Sequence, residues 1–147
     1  MLTLNNIKKI LVDWFNNHAQ INSVYYEDDF NCNAERNILY PVCNIEYKYS
    51  NINDRTVNHV FLIAIGDITE PDNHDMEDEV YSDSLQVAED FFTFLQNAEL
   101  GFWFNKVTTL TKFVDDTGDR VCGVSFYLTI STIRRQNWCD TPIKSNI

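Results

Sequence analysis

An α+β fold is what this sequence predicts: a mostly antiparallel β-sheet with two α-helices on one face, in the order α-β-β-α-β-β. Apolar residues recur at spacings of three and four near the start of the chain and again between Leu85 and Leu95. They alternate with polar residues around Cys43–Tyr49 and Val124–Ile130, and turn-forming clusters separate the segments. One domain, residues 1–147, accounts for the chain, because 147 residues leave no room for a second substantial core.

The first helix is expected from about Thr3 to Asn17, with Leu4, Ile7, Leu11, Trp14 and Phe15 on its apolar stripe and Thr3 as N-cap. A polar stretch, Ile21 to Asn37, follows, in which Tyr25 and Tyr26 suit a short strand. Cys43, Ile45, Tyr47 and Tyr49 then alternate with Asn44, Glu46 and Lys48, as in a strand with one face on a core. Val57 to Gly66 is a second strand, and its run Val60-Phe61-Leu62-Ile63-Ala64-Ile65 is apolar on both faces, which places it centrally in the sheet. Asp67 to Asp83 carries eight carboxylates and no Lys or Arg, so an exposed loop is expected there. The second helix should begin near Ser82 or Asp83, with Asp83 and Gln86 in capping-box spacing, bury Leu85, Ala88, Phe91, Phe92 and Leu95, and end at Gly101. Lys106–Val114 and Val124–Ile130, joined by the turn cluster Asp115–Asp119, form a long hairpin with one apolar face.

Charge narrows the function classes. With 11 Lys+Arg against 22 Asp+Glu the net charge is −11, which repels phosphate backbones and anionic membranes. The start, Met1 to Asn6, lacks the basic-then-apolar pattern of a secretory signal, and the longest apolar run is far too short to span a bilayer. Cys32, Cys43, Cys122 and Cys139 are widely spaced, which favours reduced thiols of an intracellular protein over a zinc site. No phosphate-binding loop, dinucleotide fingerprint or nucleophile elbow is present. His18, His59 and His74 stand beside no Ser or Cys nucleophile in the sequence, so packing and surface roles are expected. Asp72, Asp75, Glu77 and Glu79 have some of the spacing of a calcium loop but lack its glycine. No catalytic, cofactor or metal residue is therefore assigned.

Candidate contact residues remain. The acidic segment offers Asp75, Glu77, Asp78 and Glu79, and the C-terminal part offers Arg134 and Arg135, with Lys144 beyond. In a ring of identical subunits the two could meet across a heterologous interface; the plainer reading leaves both solvated. Trp103 and Phe104 suit either the core or a partner-facing anchor.

This layout resembles the tail-terminator and tail-completion proteins, or neck-ring connectors, of tailed bacteriophages, as in phages of Bacteroidetes hosts including crAss-like phages. The residues that carry the resemblance are Val60–Gly66, Asp119-Arg120-Val121-Cys122-Gly123-Val124, Leu128-Thr129-Ile130 and Cys139-Asp140-Thr141-Pro142. The resemblance implies a non-enzymatic structural virion protein. It would form a ring of six or twelve copies at the head-to-tail connector and contact portal, neck or tail proteins. It would be assembled in the host bacterial cytoplasm, with no cofactor, sequence-specific nucleic acid or membrane involved. Two other classes stay open: a small acidic inhibitor that mimics nucleic acid and binds a basic host protein, and an enzyme or metal-binding module.

Overall fold

Thr3 starts the first helix in the way its sequence position suggests. Its hydroxyl accepts from the Asn6 amide at 3.2 Å, and the Asn6 side chain accepts from the Thr3 amide at 2.9 Å, so two orphan donors are satisfied reciprocally. The computed structural model describes residues 2–32, 36–105, 108–116, 118–135 and 142–143. Its elements are α1 (Leu4–Asn17), β1 (Ser23–Tyr25), β2 (Val42–Ile52), β3 (Thr56–Ile68), α2 (His74–Asn97), β4 (Trp103–Phe104), β5 (Thr111–Asp115) and β6 (Val121–Ile133). The fold is α+β with both helices on one face of the sheet, as expected. Trp138, Cys139 and Lys144, and with them most of the expected tail from Gln136 to Ile147, lie outside the described residues, as do Lys106 and Val107.

The sheet order is β1-β2-β3-β6-β4, with β5 also on β6. Because β3 pairs β6 along its whole length, β4 and β5 share β6's other side. β3 is central, as its two apolar faces require. All pairings are antiparallel except β1 on β2, which the sequence did not announce.

On the helix face, Cys43 and Ile45, Phe61, Ile63 and Ile65, and Phe126, Leu128 and Ile130 meet Ile7, Leu11 and Phe15 of α1 and Val87, Ala88, Phe91 and Leu95 of α2. Phe91 joins the layers: its ring centroid is 4.8 Å from Phe15 and 6.2 Å from Phe126. Leu85, expected in this face, is 42% exposed. The buried stripe of α2 runs through Val80, Ser84 and Val87 as well as the expected Ala88, Phe91 and Leu95, and the helix begins eight or nine residues earlier than the sequence suggested and ends at Asn97, short of Gly101. Tyr49 is likewise turned out. Tyr47 opposes Phe61 but Tyr49 opposes Val60, so Lys48 is the extra residue of a β-bulge, and the faces switch beyond it.

A second, smaller core covers part of the opposite face. Cys32, Ile38, Val42 and Val121 are buried there, with Tyr25, Phe30, Tyr40 and Phe113 packed against them. The segment between β1 and β2 is tied over the sheet by polar contacts: the Asp119 amide donates to the Cys32 carbonyl at 2.8 Å, and the Tyr40 hydroxyl to Asp119 at 2.9 Å. Arg36 Nη2 donates to both carboxylate oxygens of Glu27, at 2.7 and 2.8 Å, and its guanidinium lies over the rings of Tyr25 and Phe30.

Two glycines oppose each other in the middle of this face. Gly66 pairs with Gly123, and Gly123 with Phe113. A Cβ on Gly123 would lie 1.9 Å from the Ile65 carbonyl oxygen, and one on Gly66 would lie 2.8 Å from the Cys122 carbonyl oxygen and 3.2 Å from the Phe113 ring. The Phe113 ring therefore lies against Gly66, while at Gly123 the β3 backbone itself leaves no room for a side chain.

Two substitutions test this packing. Phe126→Ala should cost about 3–5 kcal/mol in a denaturant titration, as a fully buried aromatic does; a loss below about 1 kcal/mol would mean the faces are reversed. Gly123→Ala adds a single methyl yet should cost about 1–3 kcal/mol, because backbone rather than a flexible side chain stands in its way.

Candidate functional site

The acidic segment is not the long loop its composition suggests. Asn73 caps α2, its side chain accepting from the Met76 amide at 3.1 Å, and the helix runs on from His74. The Asp83–Gln86 capping box is therefore overturned, and Asp75, Glu77, Asp78 and Glu79 occupy the first turns of α2. The loop that remains is residues 69–73. Helix is favoured here for three reasons. Asp75 and Glu77 face the positive end of the helix dipole. Val80 and Ser84 extend the buried stripe toward the N-terminus. Asp75, Asp78, Glu79 and Asp83 all point to water, where their repulsion is screened.

Glu77 is set apart from its acidic neighbours. Its side chain is only 12% exposed and receives Arg120 Nη2 at 2.5 Å, while Arg120 Nη1 reaches Asp116 at 2.7 Å. These carboxylates, Glu77 first, hold the guanidinium pKa well above its ordinary value. The triad pins the start of α2 to the β5–β6 turn, although Arg120 Nε is buried without a hydrogen-bond partner. Asp75, Asp78 and Glu79 are the exposed members of the predicted acidic contact.

Arg134 and Arg135 follow β6 and are exposed. The Arg134 amide donates to the Arg55 carbonyl at 2.8 Å, and its guanidinium to the Asn53 carbonyl at 3.3 Å, so they sit beside the β2–β3 turn with Arg55. The acidic and basic candidates thus occupy opposite ends of one strand. The 13 residues of β6, at about 3.3 Å each, set Arg120 and Arg134 roughly 40 Å apart. The structure does not bring the two patches together within one subunit.

The acidic end also holds a cavity of about 350 Å³, lined by Ile21, Pro41, Asp67, Val80, Asp83 and Val87 among others. Burial raises the Asp67 pKa, the nearby Asp83 adds to this, and the bond from the Ile68 amide to its carboxylate opposes it.

Potential reactive groups are occupied in packing. Cys32, Cys43 and Cys122 are buried free thiols; burial pushes Cys32 up to about 11 and Cys43 well above the usual thiol range, so both stay protonated. One expectation about histidines fails. The β2–β3 register places the Ser50 hydroxyl 2.6 Å from His59 Nδ1, and Tyr47 bonds the same hydroxyl. Burial lowers the His59 pKa. Ser50 lies on the exposed half of β2 rather than in a cleft, so the trio is a bridging hydrogen-bond chain between β2 and β3. Among the described residues no three His, Cys, Asp or Glu side chains gather as a metal site would require. Trp103 is 56% exposed, whereas Phe104 packs on the core against Phe92 at 6.2 Å, so the two readings of this pair divide between its residues.

Four substitutions separate the roles of the cap and the carboxylates. Asn73→Ala should cost about 1 kcal/mol through the lost cap. Glu77→Gln should cost about 1.5–3 kcal/mol because a charge-assisted bond is lost, while Asp78→Asn should stay within about 0.5 kcal/mol. Asp67→Asn should stabilise. Because the folded-state pKa of Asp67 lies above its unfolded value, its ionised form is disfavoured in the fold at neutral pH, and the penalty fades as pH falls through the folded-state pKa. Melting curves should show a gain near pH 7 that closes toward about pH 4.

A scan against protein-family models finds no match to this chain, and a search of curated proteins finds none either.

Proposed function

We propose that this protein is a non-enzymatic assembly subunit whose copies join head to tail into a ring, as in the neck connector of a tailed-phage virion. The observation that carries this reading is the separation of charge along β6. Asp75, Asp78 and Glu79 are exposed near its start, and Arg55, Arg134 and Arg135 near its end. Opposite charges fixed at opposite ends of a rigid body cannot neutralise each other within one copy. They attract between copies, and such a contact is heterologous: it closes into a ring where the rotation per subunit allows and otherwise extends into a filament. Portal, neck or tail proteins would be the partners above and below the ring.

A second reading has one observation behind it. The outer side of α2 presents Asp75, Asp78, Glu79, Asp83 and Glu89, a row of exposed carboxylates spanning about 20 Å at the helical rise of about 1.5 Å per residue. An acidic inhibitor that mimics nucleic acid would use such a row, and it would act as a monomer.

Light-scattering mass on a sizing column distinguishes the two. At low salt the ring reading expects a closed multiple of the subunit mass. This should shrink toward the monomer at about 1 M salt, where the screening length falls to about 3 Å, and in the double variant Arg134→Glu, Arg135→Glu. A monomer at low salt and high concentration would overturn the ring.

A further inference from the structure

The helix-free face carries a trough of about 220 Å³ between the β1–β2 segment and β5. Ala64, Gly66 and Ser125, small residues of the sheet, line it together with the larger Leu62, Phe30 and Phe113. Asp29, Glu46 and Asp115 line the same trough, and among the described residues no Lys or Arg does. Lys48 reaches Glu46 at 3.2 Å from outside it. A cavity of about 150 Å³ accommodates a benzene ring, so this one is large enough for a bulky apolar side chain. Its carboxylates favour a cation alongside.

Ile133 supplies that chemistry. It is 67% exposed, and Arg134 and Arg135 follow it directly. It cannot reach the trough of its own subunit. Ser125 of the trough and Ile133 lie on the same strand, eight residues or about 26 Å apart. We propose that the Ile133-Arg134-Arg135 end of one copy docks into the trough of the next, with the Ile133 side chain between Phe30 and Phe113 and the guanidinium groups at Asp29 and Glu46. This rests on the head-to-tail reading above and assigns its acidic half to the helix-free face, with the exposed acids of α2 adding long-range attraction only.

The test uses the full chain and two single variants. Ala64→Phe fills the trough and Ile133→Ser blunts the end that enters it. Each alone should reduce the low-salt assembly to monomer. An equimolar mixture should restore dimers, because each variant retains the half that the other lacks. Near-ultraviolet circular dichroism checks that Ala64→Phe folds. If it does not, Asp29→Asn serves, since Asn tolerates the left-handed backbone at that position (φ 49°), and it should weaken assembly about tenfold. Wild-type assembly that Ala64→Phe, or failing it Asp29→Asn, leaves unchanged would overturn the docking and leave head-to-tail association standing. A wild-type chain that stays monomeric would overturn both.

Discussion

Thirteen consecutive residues of β3, Thr56–Ile68, pair in unbroken register with Ile133–Val121 of β6, and both cores are built on that ladder. It supplies the middle of the helix-side core, since Phe61, Ile63 and Ile65 stand beside Phe126, Leu128 and Ile130. It supplies the floor of the opposite face, where Gly66 meets Gly123 under the Phe113 ring. Its hydrogen bonds run unbroken from one end of the sheet to the other. What lies at one end stays at a fixed distance from what lies at the other.

That fixed distance turns a sequence property into a geometric one. Two arginines after β6 and a cluster of carboxylates at the start of α2 would neutralise each other in a flexible chain. Across a rigid 13-residue strand they cannot. Charge of this kind contributes little to the stability of the isolated subunit, because exposed groups are well solvated. Its effect falls on encounter and orientation between molecules. Glu77 is the exception: half-enclosed with Arg120, it fastens α2 to the sheet and leaves the exposed acids around it to face outward.

Much of this architecture was legible in the sequence because the relevant signals are local. Thr3 and the stripe Ile7, Leu11 and Phe15 define α1, and the alternation through Val124–Ile130 defines β6 and its buried side. The first turns of α2 were hidden because eight carboxylates in one stretch look like a solvated loop. A helix can carry most of them on its outer side, and only Val80, Ser84 and the cap at Asn73 betray it. The outward turn of Tyr49 is not legible because a one-residue bulge at Lys48 leaves no mark on composition while reversing every side chain beyond it. The parallel strand β1, the Ser50–His59 contact and the Gly66–Gly123 pair depend on residues far apart in sequence, so no local pattern contains them. The trough was invisible for the same reason: it brings Ala64 and Gly66 of β3 beside Ser125 of β6, far away in the sequence.

The claim on which the rest turns is that subunits meet end to end, and amide hydrogen exchange addresses it directly. Exchange in the concentrated protein at low salt is compared with exchange in the dilute protein at high salt. Head-to-tail docking requires added protection at two separate places, around Asp29–Phe30 with Phe113, and around Ile133–Arg135. Protection confined to the half of β2 that β1 leaves unpaired, Glu46 to Ile52, would show instead that copies join edge to edge, and would contradict the end-to-end contact.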